Sequence, residues 1–222
     1  MRLALTTLLL ILGIPVVTSR ACAATASTSC VVSLKRLDEG SAIITTQRST
    51  GYWVYVDPAQ CGACGANASV RAVDVKAELG AGICTTNFQV TFVATNGDTV
   101  APRPDPAHPL APTQAFAFKP NCMNMCLKTF TLSPSIALDR PCFLHFAMIS
   151  PSACGDYEPW VISASPYGCT PGRTFLSVPD GGPLQDVCLT NGTDAVLFVD
   201  ATCDAVVPVR RGGWGALKVR YH

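Results

Sequence analysis

The chain is poor in charge and in histidine. Only 14% of its 222 residues are Asp, Glu, Lys or Arg, and there are three histidines, His108, His145 and His222. A typical soluble domain carries about a quarter charged residues. The opposite charges nearly cancel, which excludes capture of nucleic acid or an anionic membrane by bulk charge. Also missing are a G-x-S-x-G elbow, an H-E-x-x-H helix and a glycine-rich phosphate loop. No segment holds a helical period between two capping signals. Beyond residue 17 no apolar run is long enough to span a bilayer, which takes about 20 residues.

The start of the chain is different. "MRLALTTLLLILGIPV" is one arginine followed by an apolar run, broken at Pro15. It fits a secretory signal peptide ending at the A-x-A pattern Ala21-Cys22-Ala23, so residues 1–23 are expected to be removed. Acylation of Cys22 is the rival reading. It is a poor fit, because Ser19, followed by Arg20, stands where a lipoprotein signal has an aliphatic residue. Removal takes Arg2 and Arg20 with it and leaves a net charge near −1.

Cysteine is abundant. Twelve are present, and eleven remain after cleavage. In an exported chain they read as disulfides, with one thiol left over. Two pairings are expected, Cys154–Cys169 and Cys188–Cys203. Each closes an interval that reads as two neighbouring strands and a loop, contributing about 3 kcal/mol in the chain-entropy model.

The remaining pattern is β. "VDVKAEL" sets Val73, Val75, Ala77 and Leu79 against Asp74, Lys76 and Glu78, and "NFQVTFVAT" does the same with Phe88, Val90, Phe92 and Ala94. Such period-two alternation places one face inward. "YWVYV", "TQAFAFK", "CLKTFTL", "CFLHFAMI", "PWVISA" and "AVLFVDA" are further strands, bounded by turn residues such as "PDGG" at 179–182. The expectation is an all-β, disulfide-rich antiparallel β-sandwich of jelly-roll type over residues 24–208. The five-proline run 100–112 is read as a crossover between its sheets, with an interdomain linker as the alternative. Residues 209–222 form a basic end.

Three constellations offer chemistry. Cys61 and Cys64 in "CGAC" suit a redox pair, or half of a zinc site completed by Cys122 and Cys126; the plain reading is a turn whose cysteines are bridged elsewhere. Asp156, Tyr157, Glu158 and Trp160 in "CGDYEPW" combine carboxylates with aromatic rings. They suit a ligand-binding loop or the acid and base of a hydrolase, or else a polar loop with Trp160 in the core. Arg210, Arg211, Trp214 and Lys218 make the tail a candidate for partner or sorting recognition, against a last strand or a solvated tail. His145 and Trp53, in apolar strands, read as packed residues.

The tail resembles the ends of secreted bacterial proteins in which Trp-Gly-x-hydrophobic-Lys-x-x-Tyr follows a Pro-Val or Pro-Thr stretch. Here those positions are Pro208, Val209, Trp214, Gly215, Leu217, Lys218 and Tyr221, with His222 in place of an arginine. The segment "LQDVCLTNGTDAVLFVDATC" shares the likeness, which covers about the last 60 residues. It implies a secreted β-sandwich from a bacterium and no particular reaction, so no catalytic residues transfer. The expected function is a secreted or surface module that binds a polysaccharide or a surface protein, or is structural, with no cofactor or metal. The alternatives are a hydrolase using Asp156 and Glu158 and a thiol or zinc protein using Cys61 and Cys64.

Overall fold

The structure, a computed structural model, describes residues 26–33, 41–43, 50–64, 68–79, 84–119, 126–149, 161–164, 169–195 and 197–205. The strands in chain order are β1 (Ala26–Val31), β2 (Ser41–Ile43), β3 (Thr50–Val56), β4 (Val70–Leu79), β5 (Thr86–Thr95), β6 (Pro104–Pro109), β7 (Gln114–Phe118), β8 (Cys126–Leu138), β9 (Cys142–Ile149), β10 (Ile162–Ala164), β11 (Thr174–Ser177), β12 (Leu184–Asp186), β13 (Asp194–Ala195) and β14 (Leu197–Ala205). One five-residue helix, α1 (Val187–Asn191), follows β12. The all-β, antiparallel, disulfide-bonded expectation holds, and no described helix is long and apolar enough to cross a membrane.

Two sheets share the main core. The smaller has the order β1-β14-β4-β8; the larger runs β12-β11-β3-β9-β5-β6, with β7 also on β5. A third, short sheet pairs β13, β10 and β2. The main core draws Val75 and Ala77 from β4, Phe130 from β8 and Val199 from β14. The larger sheet contributes Tyr52, Phe88, Phe92, Leu144 and Phe146. Phe130 joins the layers, its ring centroid 5.2 Å from Phe88 and 5.1 Å from Phe146. A polar clasp also links them: Gln114 of β7 accepts from the Ser133 N–H at 2.7 Å and donates to the Pro134 carbonyl at 2.8 Å, both on β8.

The outer face of the larger sheet holds a second, aromatic cluster of Trp53, Tyr55, Val93, Phe143 and Phe175, with Leu184 against it. Both faces of β3 are therefore covered, and all seven of its residues are buried. This is why "YWVYV" reads as a continuous apolar run rather than an alternation.

Two sequence expectations need correction. Against β14 the register of β4 shifts at Val73: Ala72 pairs with Ala201 and Asp74 with Asp200, two consecutive residues of β14. Val73 is the extra residue of a bulge and leaves the inward face, which Ala72, Val75, Ala77 and Leu79 fill. The proline run is neither a linker nor a crossover. β6 and β7 lie in succession along one edge of β5, pairing with its two halves. Proline lacks the N–H that a central strand donates on both sides, so an edge is where a sheet tolerates it. The passage to the other sheet comes later, between β7 and β8.

Candidate functional site

The first site lies on the outer face of the larger sheet. Antiparallel register sets Phe175, Trp53, His145 and Thr91 in one row across β11, β3, β9 and β5, and Ser177, Gly51, Ala147 and Gln89 in the next. The indole of Trp53 stacks on the imidazole of His145, centroids 3.7 Å apart and planes 9° from parallel. The turn after β11 carries Asp180 over Gly51, so that Asp180 Oδ1 lies 2.8 Å from His145 Nε2. The Ser177 hydroxyl accepts from Trp53 Nε1 at 3.4 Å and reaches the Gly51 carbonyl at 3.4 Å. It also bonds the Asp180 carboxylate.

Gly51 makes this convergence possible. A Cβ there would lie 2.7 Å from Ser177 Oγ and 2.9 Å from His145 Nε2, and closer still to Asp180 Oδ1. We expect Gly51→Ala to cost about 1–3 kcal/mol, the usual range for overpacking. It should also separate His145 from Asp180. Urea unfolding and the His145 side-chain NMR signals report the two effects; an unchanged midpoint would show that the turn simply steps aside.

Partial burial pushes the Asp180 carboxyl up. Its bonds to His145, the Gly181 N–H and Ser177, with the electrostatic pull of the His145 ring, outweigh that push and hold it below the ordinary carboxylate value. A lowered folded-state pKa stabilises the fold above the unfolded value, near 4, and the contribution fades as pH falls through the folded value. The stability gap between the native chain and Asp180→Asn should therefore close as pH falls below about 4. A gap that persists at pH 2 would assign it to shape rather than charge.

A serine, a histidine and an aspartate thus meet, but not in the order of a hydrolytic triad. There the imidazole sits between carboxylate and hydroxyl so that it can take the hydroxyl proton. Here the carboxylate sits between the other two, and Ser177 is fully buried. The arrangement pins a turn to a sheet and offers no activated nucleophile. His145 and Trp53 are the packed, hydrogen-bonded residues that their strands suggest. Asp180 and Ser177 escape a reading from sequence, because their meeting depends on the β3–β9–β11 register; the glycine ahead of "YWVYV" is the one signal of a close approach.

The second site is the cysteine group. Asp57 accepts from the Ala59 N–H at 2.9 Å and caps a turn whose first residue is Pro58. The Cys61 N–H then bonds Pro58 O at 3.0 Å and the Cys64 N–H bonds Cys61 O at 2.8 Å, which winds "CGAC" into consecutive tight turns. Cys61 is bonded to Cys30 on β1 and Cys64 to Cys203 on β14. The motif is therefore the plain reading, a turn bridged elsewhere. The zinc arrangement with Cys126 is not formed, because Cys126 is disulfide-bonded too, as is Cys84. The Sγ atoms of Cys30, Cys61 and Cys64 all lie within 4.8 Å of one another. A cleft of about 640 Å³ opens beside them, with Pro58, Ala59, Cys61 and Gly62 on one side and Val70 and Leu138 on the other.

Both expected pairings need correction. Cys169 bonds Cys188, not Cys154, and Cys203 bonds Cys64, not Cys188. Cys188 sits on α1, where it faces the segment before β11. Cys203 lies on β14 beside β1, so its neighbour comes from the turn after β3. Cys154 lies outside the described residues.

Cys142 is the free thiol among the described residues, at the start of β9 and buried. Burial, reinforced by the Asp139 carboxylate, pushes it up to about 12. Thiolate is the reactive form, so Cys142 is inert in the fold. We expect Cys142 to be alkylated after denaturation without reductant, and not in the native state at pH 8. Rapid native labelling of Cys142 would contradict this.

The other candidates, Asp156, Tyr157, Glu158, Trp160, Arg210, Arg211, Trp214 and Lys218, also lie outside the described residues, as does the expected signal peptide. No protein-family model and no curated protein matches the chain. Among solved structures it is similar to the clostridial cysteine protease Cwp84 after propeptide cleavage. The identity is 9% over 79% of this chain and 40% of that one, with a TM-score of 0.48. A second likeness is to the cysteine protease and lectin-like domains of Cwp84, a surface layer associated protein of Clostridium difficile. That one has 8% identity over 68% of this chain and 32% of the other, with a TM-score of 0.45. The chain spans less than half of either structure, and at this similarity neither bears on its activity.

Proposed function

We propose that this chain is a secreted, non-catalytic module of the cell exterior that binds a surface polysaccharide or protein on a stapled β scaffold. One observation carries the reading: the nucleophiles at the two sites described above, with the free thiol Cys142, are each bonded or buried. Ser177 is sealed beneath Asp180, Cys61 and Cys64 are in disulfides, and Cys142 is a protonated core thiol. The disulfides and the absence of a long apolar helix among the described residues support export past the expected signal peptide. Contact with the partner is assigned to the Asp156–Trp160 loop and the basic tail.

The test uses the chain from Ala24 onward. It is applied to polysaccharide arrays and intact cells, and to ester, peptide and glycoside substrates. Retention without turnover is expected, falling at least tenfold when Trp160→Ala is combined with deletion of 209–222. Turnover abolished by Glu158→Gln in a folded protein would replace this reading with the hydrolase. Full retention by the combined variant would remove these segments from the binding surface.

A further inference from the structure

We propose that Cys30, Cys61, Cys64 and Cys203 form a thiol–disulfide exchange site that takes a dithiol as its reductant. Its reduced product keeps one disulfide, moved to Cys61–Cys64, and leaves Cys30 and Cys203 as thiols. Three features carry this. Cys61 and Cys64 flank a single hydrogen-bonded turn, yet each is bonded to a different strand. Their sulfurs, with that of Cys30, already lie within the 4.8 Å that a short approach can close. Carbonyl acceptors also stand ready for the two thiols to be released: Ala201 O lies 3.6 Å from Cys30 Sγ, and Thr28 O lies 3.6 Å from Cys203 Sγ.

The cleft, which Cys61 lines, is the route proposed for the reductant, and because Cys61 is 4% exposed the cleft wall must open for the attack. A thiolate of the dithiol attacks Cys61 Sγ and expels Cys30, which takes a proton. The second thiol of the reductant then displaces Cys61, and the reductant leaves as a disulfide, oxidised by two electrons. The Cys61 thiolate attacks Cys64 Sγ, the Cys61–Cys64 bond forms, and the Cys64–Cys203 bond breaks, with Cys203 taking the second proton. Entry through Cys64–Cys203 gives the same product, because the freed Cys64 attacks Cys61. Cys61 is favoured over Cys30 as the partner of Cys64, because loop-closure cost rises with loop length and these two are only three residues apart. The exchange unties β1 and β14 from the turn between β3 and β4 while preserving one crosslink.

The experiment titrates the folded chain with dithiothreitol, with acid quenching, alkylation and peptide mapping at each step. At the first step where any of the four cysteines is alkylated, Cys30 and Cys203 should be labelled together, and a Cys61–Cys64 crosslinked peptide should be the major species. Joint labelling of Cys30 with Cys61, or of Cys64 with Cys203, the other disulfide remaining intact, overturns the proposal. A second arm does not depend on reduction. Cys30→Ser combined with Cys203→Ser should yield a Cys61–Cys64 disulfide, seen as no additional alkylatable thiol. Two additional thiols in this variant would equally overturn it.

Discussion

Cys64→Ala combined with Cys203→Ala is expected to lower the stability of the domain by about 5 kcal/mol. The bond closes 139 residues, and the entropy it removes from the unfolded chain grows with the logarithm of that number. Cys169→Ala with Cys188→Ala opens only 19 residues and should cost about 3 kcal/mol. Single domains are stable by about 5–15 kcal/mol, so the first variant can lose most of its margin and the second should stay folded. Urea midpoints of the two double variants decide the matter. Equal losses, or a larger loss from the shorter loop, would mean that native contacts around the sulfurs dominate over chain entropy.

Phe130→Ala should cost about 3–5 kcal/mol, the range for emptying a large aromatic site in a close-packed core. Phe130 is essentially fully buried and belongs to the smaller sheet. Its ring meets Phe88, Phe116, Phe118 and Phe146, all from the larger sheet, at centroid separations of 5.1 to 5.5 Å. The void would therefore open between layers, where neither sheet can collapse into it without shifting as a body. Phe130→Leu should recover more than half of the loss. Calorimetry on both variants measures this, and a Phe130→Ala cost below about 1 kcal/mol would show that the surrounding phenylalanines repack.

Alternation alone exposes β5 and most of β4, because each strand buries one face in the main core. It fails at Val73, since a bulge adds a residue without changing the composition that signals a strand. It is silent on β3, which is covered on both faces by a cluster that only tertiary assembly creates. The cysteines show the same limit. Their oxidised state is expected from the sequence, and among the described residues all but Cys142 are disulfide-bonded. Their pairing does not follow, because it depends on β1 lying beside β14, nearly the whole chain away. Asp180 reads as an ordinary turn residue in "PDGG"; its bond to His145 needs Gly51 beneath it. The Asp156–Trp160 loop and the basic tail belong to the sequence argument alone.

The broken edge strand carries a consequence for colloidal behaviour. An exposed sheet edge is a template on which a neighbouring chain can add a strand. Pro104, Pro106 and Pro109 present no N–H to such a visitor, and the Ala107 N–H is turned onto the Asp105 carboxylate at 3.2 Å. At the opposite edge β12 is only three residues long before α1 takes over. The β6 half of one margin and the β12 margin are thus poor seeds for fibril growth, so the proline run acts as a local guard against polymerisation that the domain carries in its own backbone.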